Sequence, residues 1–340
     1  MRKLYTILLF ASLAALIFLS LSNGALQVSF TDSLYIVLQS LGFEIDHPIK
    51  KSHYGVLVHI RMPRTILAVL VGAGLSVSGA LMQGLFRNPL ADPGLVGVSS
   101  GAALGAALVI VLGWSIPGMG YWTLPIAAFV GSVISTVCVI RLSKIGSKTV
   151  VANMLLAGIA INSIAGAGTG ILIYLADEDE LRDLTFWTLG SFGAASWSEV
   201  QLALFVILIP SIIALFLSRS LNVMLLGEAQ AYMLGVKLEQ LKRIIVVLVC
   251  LIVGSCVSMT GMIGFVGLVV PHLCRLLFGP DNKKVVPGSI LLGGALLLGS
   301  DILSRLIIMP AELPIGIVTS IVGGPFFLAL LSMNRKQGMW

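Results

Sequence analysis

The chain has 340 residues, 57% of them hydrophobic and 11% charged, with a net charge of +6. An average soluble protein carries about 25% charged residues, and no water-soluble fold of this length hides so much apolar surface, so the solvent is lipid. The 21 basic residues stand in ones to threes between apolar runs, which fits membrane orientation and anionic headgroups and argues against a nucleic-acid surface.

A bilayer core needs roughly 20 apolar residues as helix, and ten such runs are predicted. They lie near residues 4–22, 63–84, 95–113, 121–142, 150–175, 199–218, 242–261, 264–278, 287–307 and 313–332. The first follows MRK and is uncharged from Leu4 to Leu21, longer than the roughly 7–15 residues of a signal-peptide core, so it reads as an uncleaved helix. After the second run, Arg87 to Pro93 forms a turn in which Asn88-Pro89 and Asp92-Pro93 disfavour helix at the residue before each proline. The next segment, GLVGVSSGAALGAA, is a helix of small residues, suited to close helix packing or to lining a passage. ADEDELRD (176–183) is a polar segment outside the membrane. The run at 264–278 is short and holds Pro271 and His272, so it is expected to be broken or surrounded by protein.

With the N-terminus inside, ten spans return the C-terminus inside, and 15 of the 21 Lys and Arg residues fall on the cytoplasmic side. The runs hold no paired carboxylates or histidines for a proton relay, no arginine ladder and no TVGYG filter. There is no GxxxxGK[ST] phosphate loop. GLSVSGA (74–80) has no credible partner for an intramembrane serine protease, since His47, His53 and His59 lie in an outer loop. The four cysteines, Cys138, Cys250, Cys256 and Cys274, lack CxxC spacing and suggest neither a disulfide framework nor a zinc site. An ion-coupled secondary transporter stays open as a different class of function, although no convincing coupling group is seen.

One long cytoplasmic segment, 218–243, is too polar to span yet shows helical alternation. Ala229, Met233 and Leu234 lie on one side, Glu228 and Gln230 on another, and Gly227 and Gly235 bracket a short helix. Such a helix offers a docking surface for a soluble subunit; a connector lying on headgroups is the plain alternative.

RMPRTILAVLVGAGLSVSGALMQGLFRNPLADPGLVGVSSGA (61–102), MLLAGIAIN (154–162), DLTFWTLGSFG (183–193), LLGEAQAYMLGV (225–236), GMIGFVGLVVPHLCRLL (261–277) and AELPIGIVTSIVGGPFFLALL (311–331) together resemble the permeases of ABC importers for iron complexes and cobalamin. The resemblance implies an all-α integral membrane protein of the type II ABC importer permease kind, one transmembrane domain over 1–340 with ten helices per protomer. It implies a homodimer in the bacterial cytoplasmic (inner) membrane, both termini cytoplasmic. Two cytoplasmic ABC ATPase subunits carry ATP and Mg, an extracytoplasmic binding protein delivers cargo, and this non-catalytic chain binds no cofactor. Haem is the first expectation for cargo, with ferric siderophore and cobalamin as alternatives.

The resemblance also implies residue roles. Leu226, Gly227, Glu228, Ala229, Ala231, Met233 and Gly235 belong to the ATPase coupling helix; Arg61, Arg64 and Arg305 dock the binding protein. Asn88 and Leu90 form the cytoplasmic gate, with Val151 and Ala152 opposite in the turn before the fifth span. His272 belongs to the family pattern whatever the cargo and is read as structural. RTILAVLVGAGLSVSG (64–79) and RIIVVLVCLIVGSCVS (243–258) run oppositely through the membrane and are expected to mark an inverted repeat, such as transporters often contain.

Overall fold

A chain immersed in lipid must satisfy its backbone groups within its own segments, and helices do so. The computed structural model, which describes residues 2–24, 26–40, 42–43 and 49–336, is built accordingly. In order come α1 (Arg2–Ser22), α2 (Phe30–Ser40), α3 (Lys51–Val56), α4 (Met62–Phe86), α5 (Val98–Leu112) and α6 (Thr123–Leu142). A small hairpin of β1 (Lys144–Ile145) and β2 (Lys148–Thr149) follows, antiparallel, with Lys144 opposite Thr149. Then come α7 (Val151–Leu175), α8 (Glu178–Leu189), α9 (Trp197–Ala203), α10 (Ile209–Met224) and α11 (Glu228–Met233). The chain closes with α12 (Leu238–Thr260), α13 (Val266–Phe278), α14 (Asn282–Leu306) and α15 (Ile315–Lys336).

Among the described residues, seven helical segments are long and apolar enough to cross a bilayer: Leu4–Ser22, Lys51–Phe86, Gly120–Leu142, Val151–Leu175, Trp197–Met224, Leu238–Thr260 and Asn282–Leu306. Three shorter apolar helices, Val98–Leu112, Val266–Phe278 and Ile315–Ala329, coincide with the remaining predicted runs. The short run at 264–278 becomes α13, whose Val266, Val270, Pro271 and Cys274 are buried, as its length and proline suggested.

Two of the long segments widen locally, and the sequence explains where. Leu57–Arg61 and Leu204–Leu208 are π-helical turns. Pro63 and Pro210 follow them closely; each lacks an N–H, and its ring crowds the carbonyl four residues earlier, at His59 and Val206. A π-turn relieves that crowding without ending the helix.

The core centres on α4, nearly all of whose residues are buried. It crosses α14 where glycine faces glycine: a Cβ on Gly72 would lie 2.3 Å from the Gly293 carbonyl oxygen. Only glycine allows that approach, and close backbone packing is a main source of helix association in lipid. α1 runs along α14, and Tyr5 meets Phe278 of α13 edge-on at 6.4 Å. The four cysteines are unpaired.

Two further helices stand outside the ten predicted runs. The acidic stretch 176–183 starts α8. Asp177 accepts from the Glu180 N–H at 2.8 Å, and Glu180 accepts from the Asp177 N–H at 3.0 Å, forming a capping box. α2 begins with Ser29 accepting from the Asp32 N–H at 3.0 Å. His47 lies outside the described residues.

Candidate functional site

The segment 218–243 divides into three pieces. Residues 218–224 are the last turns of α10 and 238–243 the first turns of α12, so the connecting piece is 225–237. Both flanking helices simply continue beyond their apolar stretch, since helix does not stop at the lipid edge. The six-residue α11 sits between Gly227, at φ +113°, and Gly235, at φ +84°. Its end closes in a Schellman arrangement: the Gly235 N–H donates to the Tyr232 carbonyl and the Val236 N–H to the Ala231 carbonyl, both at 3.0 Å.

This closure sets which side of α11 faces out. Ala231 is fully buried, whereas Met233 is 86% exposed, and Leu226, Ala229, Tyr232 and Leu234 are exposed with it. Exposed apolar side chains grouped on one short helix suit an interaction surface. Ala229, Met233 and Leu234, placed on one side by the sequence, are all exposed, and Ala231 is the buried anchor. Glu228 opens the helix and pairs with Lys242 of α12 at 2.8 Å, a partner the sequence reading did not name. Beside α11, a cleft of about 840 Å³ separates Glu228 and Tyr232 from Lys148 and Val151. Nearby, Asn222 at the end of α10 donates to Asp281 at 2.6 Å and accepts from the Asn282 N–H at 2.8 Å, fastening α10 to α14. The Asn222 amide and the Lys283 N–H hold the Asp281 carboxyl below its ordinary range.

In the turn after α4, Asn88 accepts from the Leu90 N–H at 2.9 Å, an Asx turn that stiffens the exposed tip. Val151 and Ala152 do not lie in a turn: they are the first residues of α7. Among the described residues no hydrogen bond joins either to Asn88 or Leu90. The turn and α7 meet higher up. A Cβ on Gly158 would fall 1.7 Å from the Leu95 carbonyl oxygen, so α7 lies directly on the 93–96 turn. Asn162 donates to the Gly94 carbonyl at 3.2 Å and accepts from Ser100 at 2.5 Å. Asn162 stands in the MLLAGIAIN stretch, but its contacts were invisible before the fold. His272 lies half-buried on α13, and its Nδ1 has no hydrogen-bond partner among the described residues.

Near the carboxyl end of α1, three arginines face inward. Arg61, Arg64 and Arg305 are only 4%, 7% and 8% exposed. Arg61 donates to the carbonyls of Leu21, Ser22 and Leu26. Arg305 donates to those of Ser20 and Asn23 at 3.3 Å, so two guanidinium groups satisfy the carboxyl end of α1. Arg64 and Arg305 share Asp301, fully buried on α14, at 2.9 and 3.1 Å. The remaining nitrogen of Arg64 meets Glu312 at 2.9 Å. Within this chain the partners of all three are internal, each guanidinium taking nearby carbonyls or carboxylates. Asp301 was not singled out, although its four-residue spacing from Arg305 was a readable signal.

The hemin transport system permease protein HmuU of Yersinia pestis is 45% identical over 283 residues, 83% of this chain and 84% of that protein. The cobalamin import system permease protein BtuC of Halobacterium salinarum is 40% identical, over 82% of this chain and 74% of that protein. Among solved structures, a transporter assigned to the metal-chelate type of ABC transporter, in an inward-facing conformation, superposes with a TM-score of 0.83. It is 31% identical and covers 96% of this chain and 97% of its own. With residues 12–333 matching its family model, the chain belongs to the FecCD transport family.

Proposed function

We propose that this chain is the membrane permease subunit of an ATP-driven importer that carries haem from an extracytoplasmic binding protein into the cytoplasm. The observation that carries this reading is α11: a capped, six-residue helix with a buried anchor and exposed apolar side chains. That surface suits a soluble ATPase subunit, which supplies ATP and Mg while this chain remains non-catalytic. The 45% identity to a hemin permease favours haem; the 40% identity to a cobalamin permease keeps cobalamin as the second reading, with ferric siderophores beside it.

The seven long segments and three shorter apolar helices support ten spans, and the Lys/Arg distribution supports cytoplasmic termini in a bacterial inner membrane. α4 and α12, both largely buried, are the halves of an inverted repeat. A homodimer is supported by α7, where Ala160, Ser163, Ala167 and Gly170 form an exposed face of small residues at helical spacing. Such a face suits a second copy and a passage along the dyad better than lipid. Asn88, Leu90, Val151 and Ala152 line the inner gate of that passage. At the outer surface the Glu312 side chain is 43% exposed, so a carboxylate of the binding protein can exchange with it on Arg64, while Arg61 and Arg305 hold α1.

Reconstitution tests the reading. Liposomes holding this chain with its ATPase, and supplied with binding protein, should accumulate hemin only when ATP is present. Uptake driven by a proton or sodium gradient without the ATPase would instead establish a secondary transporter. Spectroscopic titration of the binding protein with hemin, ferric siderophores and cobalamin separates the cargoes.

A further inference from the structure

The piece between α11 and α7 is small, and one side chain spans it. Lys242 lies in the second turn of α12, 2% exposed. Its ammonium donates to Glu228 of α11 at 2.8 Å and to the Thr149 carbonyl at 2.7 Å, with Glu239 at 3.7 Å. Glu239 in turn accepts from the Thr149 N–H at 2.8 Å. Both backbone groups of Thr149 are thus held by α12. Thr149 ends β2, and Val151 begins α7 two residues later.

We propose that Lys242 is the positioning residue that carries displacement of α11 into the first turn of α7, and so to the inner gate. This rests on the reading of α11 as the ATPase docking helix. A two-stranded hairpin has little stability alone, so the place of β2 is set by what grips its end, and that grip is Lys242 with Glu239. An ammonium offers three donors, and burying one without partners is costly, so the contacts to Glu228 and Thr149 are kept when α11 moves. Above the grip, α7 is locked to the 93–96 turn through Gly158 and Asn162, so a push at its start is not absorbed in a loose helix. Lys242 is covered and offers no surface to a soluble subunit, which separates a linking role from a docking one. A chain of contacts gains the standing of a coupling route only when the response at its far end is measured.

The test uses the complete complex of this chain with its ATPase in nanodiscs, with a spin label at Ala152→Cys in a background without the native cysteines. Three quantities are read: co-purification of the ATPase, its ATP hydrolysis, and the ATP-dependent change in distance between the labels of the two protomers. None depends on cargo. Lys242→Gln should keep the ATPase attached and hydrolysis within about twofold of the parent, while the distance change falls at least threefold. Lys242→Arg, which retains charge and donors, should recover at least half of it. If Lys242→Gln does not accumulate in the membrane, Glu239→Ala, at a partly exposed position, releases the other tie to Thr149 and should reduce the distance change likewise. A full distance change in Lys242→Gln or Glu239→Ala overturns the link, and so does loss of the ATPase, which would make Lys242 a docking residue. A parent chain that retains no ATPase removes the permease reading and the link together.

Discussion

At Gly235 the chain needs a left-handed residue and nothing more. Its φ is +84°, and a Cβ there would find no atom within 4 Å. Gly235→Ala should therefore cost only the backbone preference, about 1–2 kcal/mol, weakening ATPase attachment modestly in a pull-down. Gly235→Pro cannot adopt that φ and removes the N–H donated to Tyr232, so attachment should be lost while the protein remains in the membrane. Asp301 sits at the other extreme, a buried carboxylate shared by two buried arginines. Asp301→Ala leaves Arg305 with no carboxylate and Arg64 with Glu312 alone, and breaking a buried pair this way costs about 3–5 kcal/mol. Thermal melting in detergent should drop sharply, and an unchanged midpoint would show the cluster to be dispensable. The arginines themselves could be read from the sequence, but not their direction. Arg64 and Asp301 are 237 residues apart, and only the crossing of α4 with α14 brings them together.

Helices differ in how far their sequence announces them. Apolar runs of about 20 residues are conspicuous because lipid demands them, and all ten predicted runs coincide with helices. α2 and α8 are not announced in this way, because neither carries an apolar run of that length. The signal for α8 was nonetheless present, since Asp177 stands three residues before Glu180 in capping-box spacing. Within 218–243 the short helix between two glycines was legible, whereas the continuation of α10 and α12 past their apolar stretches was not. Packing was legible only as a surplus of glycine. The crossing of α4 and α14 at Gly72 and Gly293 predicts that Gly72→Leu forces the helices apart. Membrane fractions should then contain little folded protein by size-exclusion profile, whereas Ile66→Leu, at a half-buried position on the same helix, should behave as the parent does.

For the molecule as a whole, orientation and energy input make separate demands. The proposed orientation puts 15 of 21 basic residues inside, so an impermeant thiol reagent on intact cells should modify Asp179→Cys and spare Lys283→Cys in a background lacking native cysteines. The reverse pattern would exchange the two faces and the proposed gate with them. Energy input tests the central claim, that residues 225–237 receive the work of a separate ATPase. The most direct measurement introduces Ala231→Trp, a bulky side chain at the one residue of α11 that is fully buried, and follows ATPase co-purification together with ATP-driven uptake. Displaced from its seat, α11 should release the ATPase and uptake should fall at least tenfold, equivalent to about 1.4 kcal/mol or more, while the permease remains inserted and dimeric. Full retention of the ATPase with undiminished uptake would mean that residues 225–237 are a passive connector.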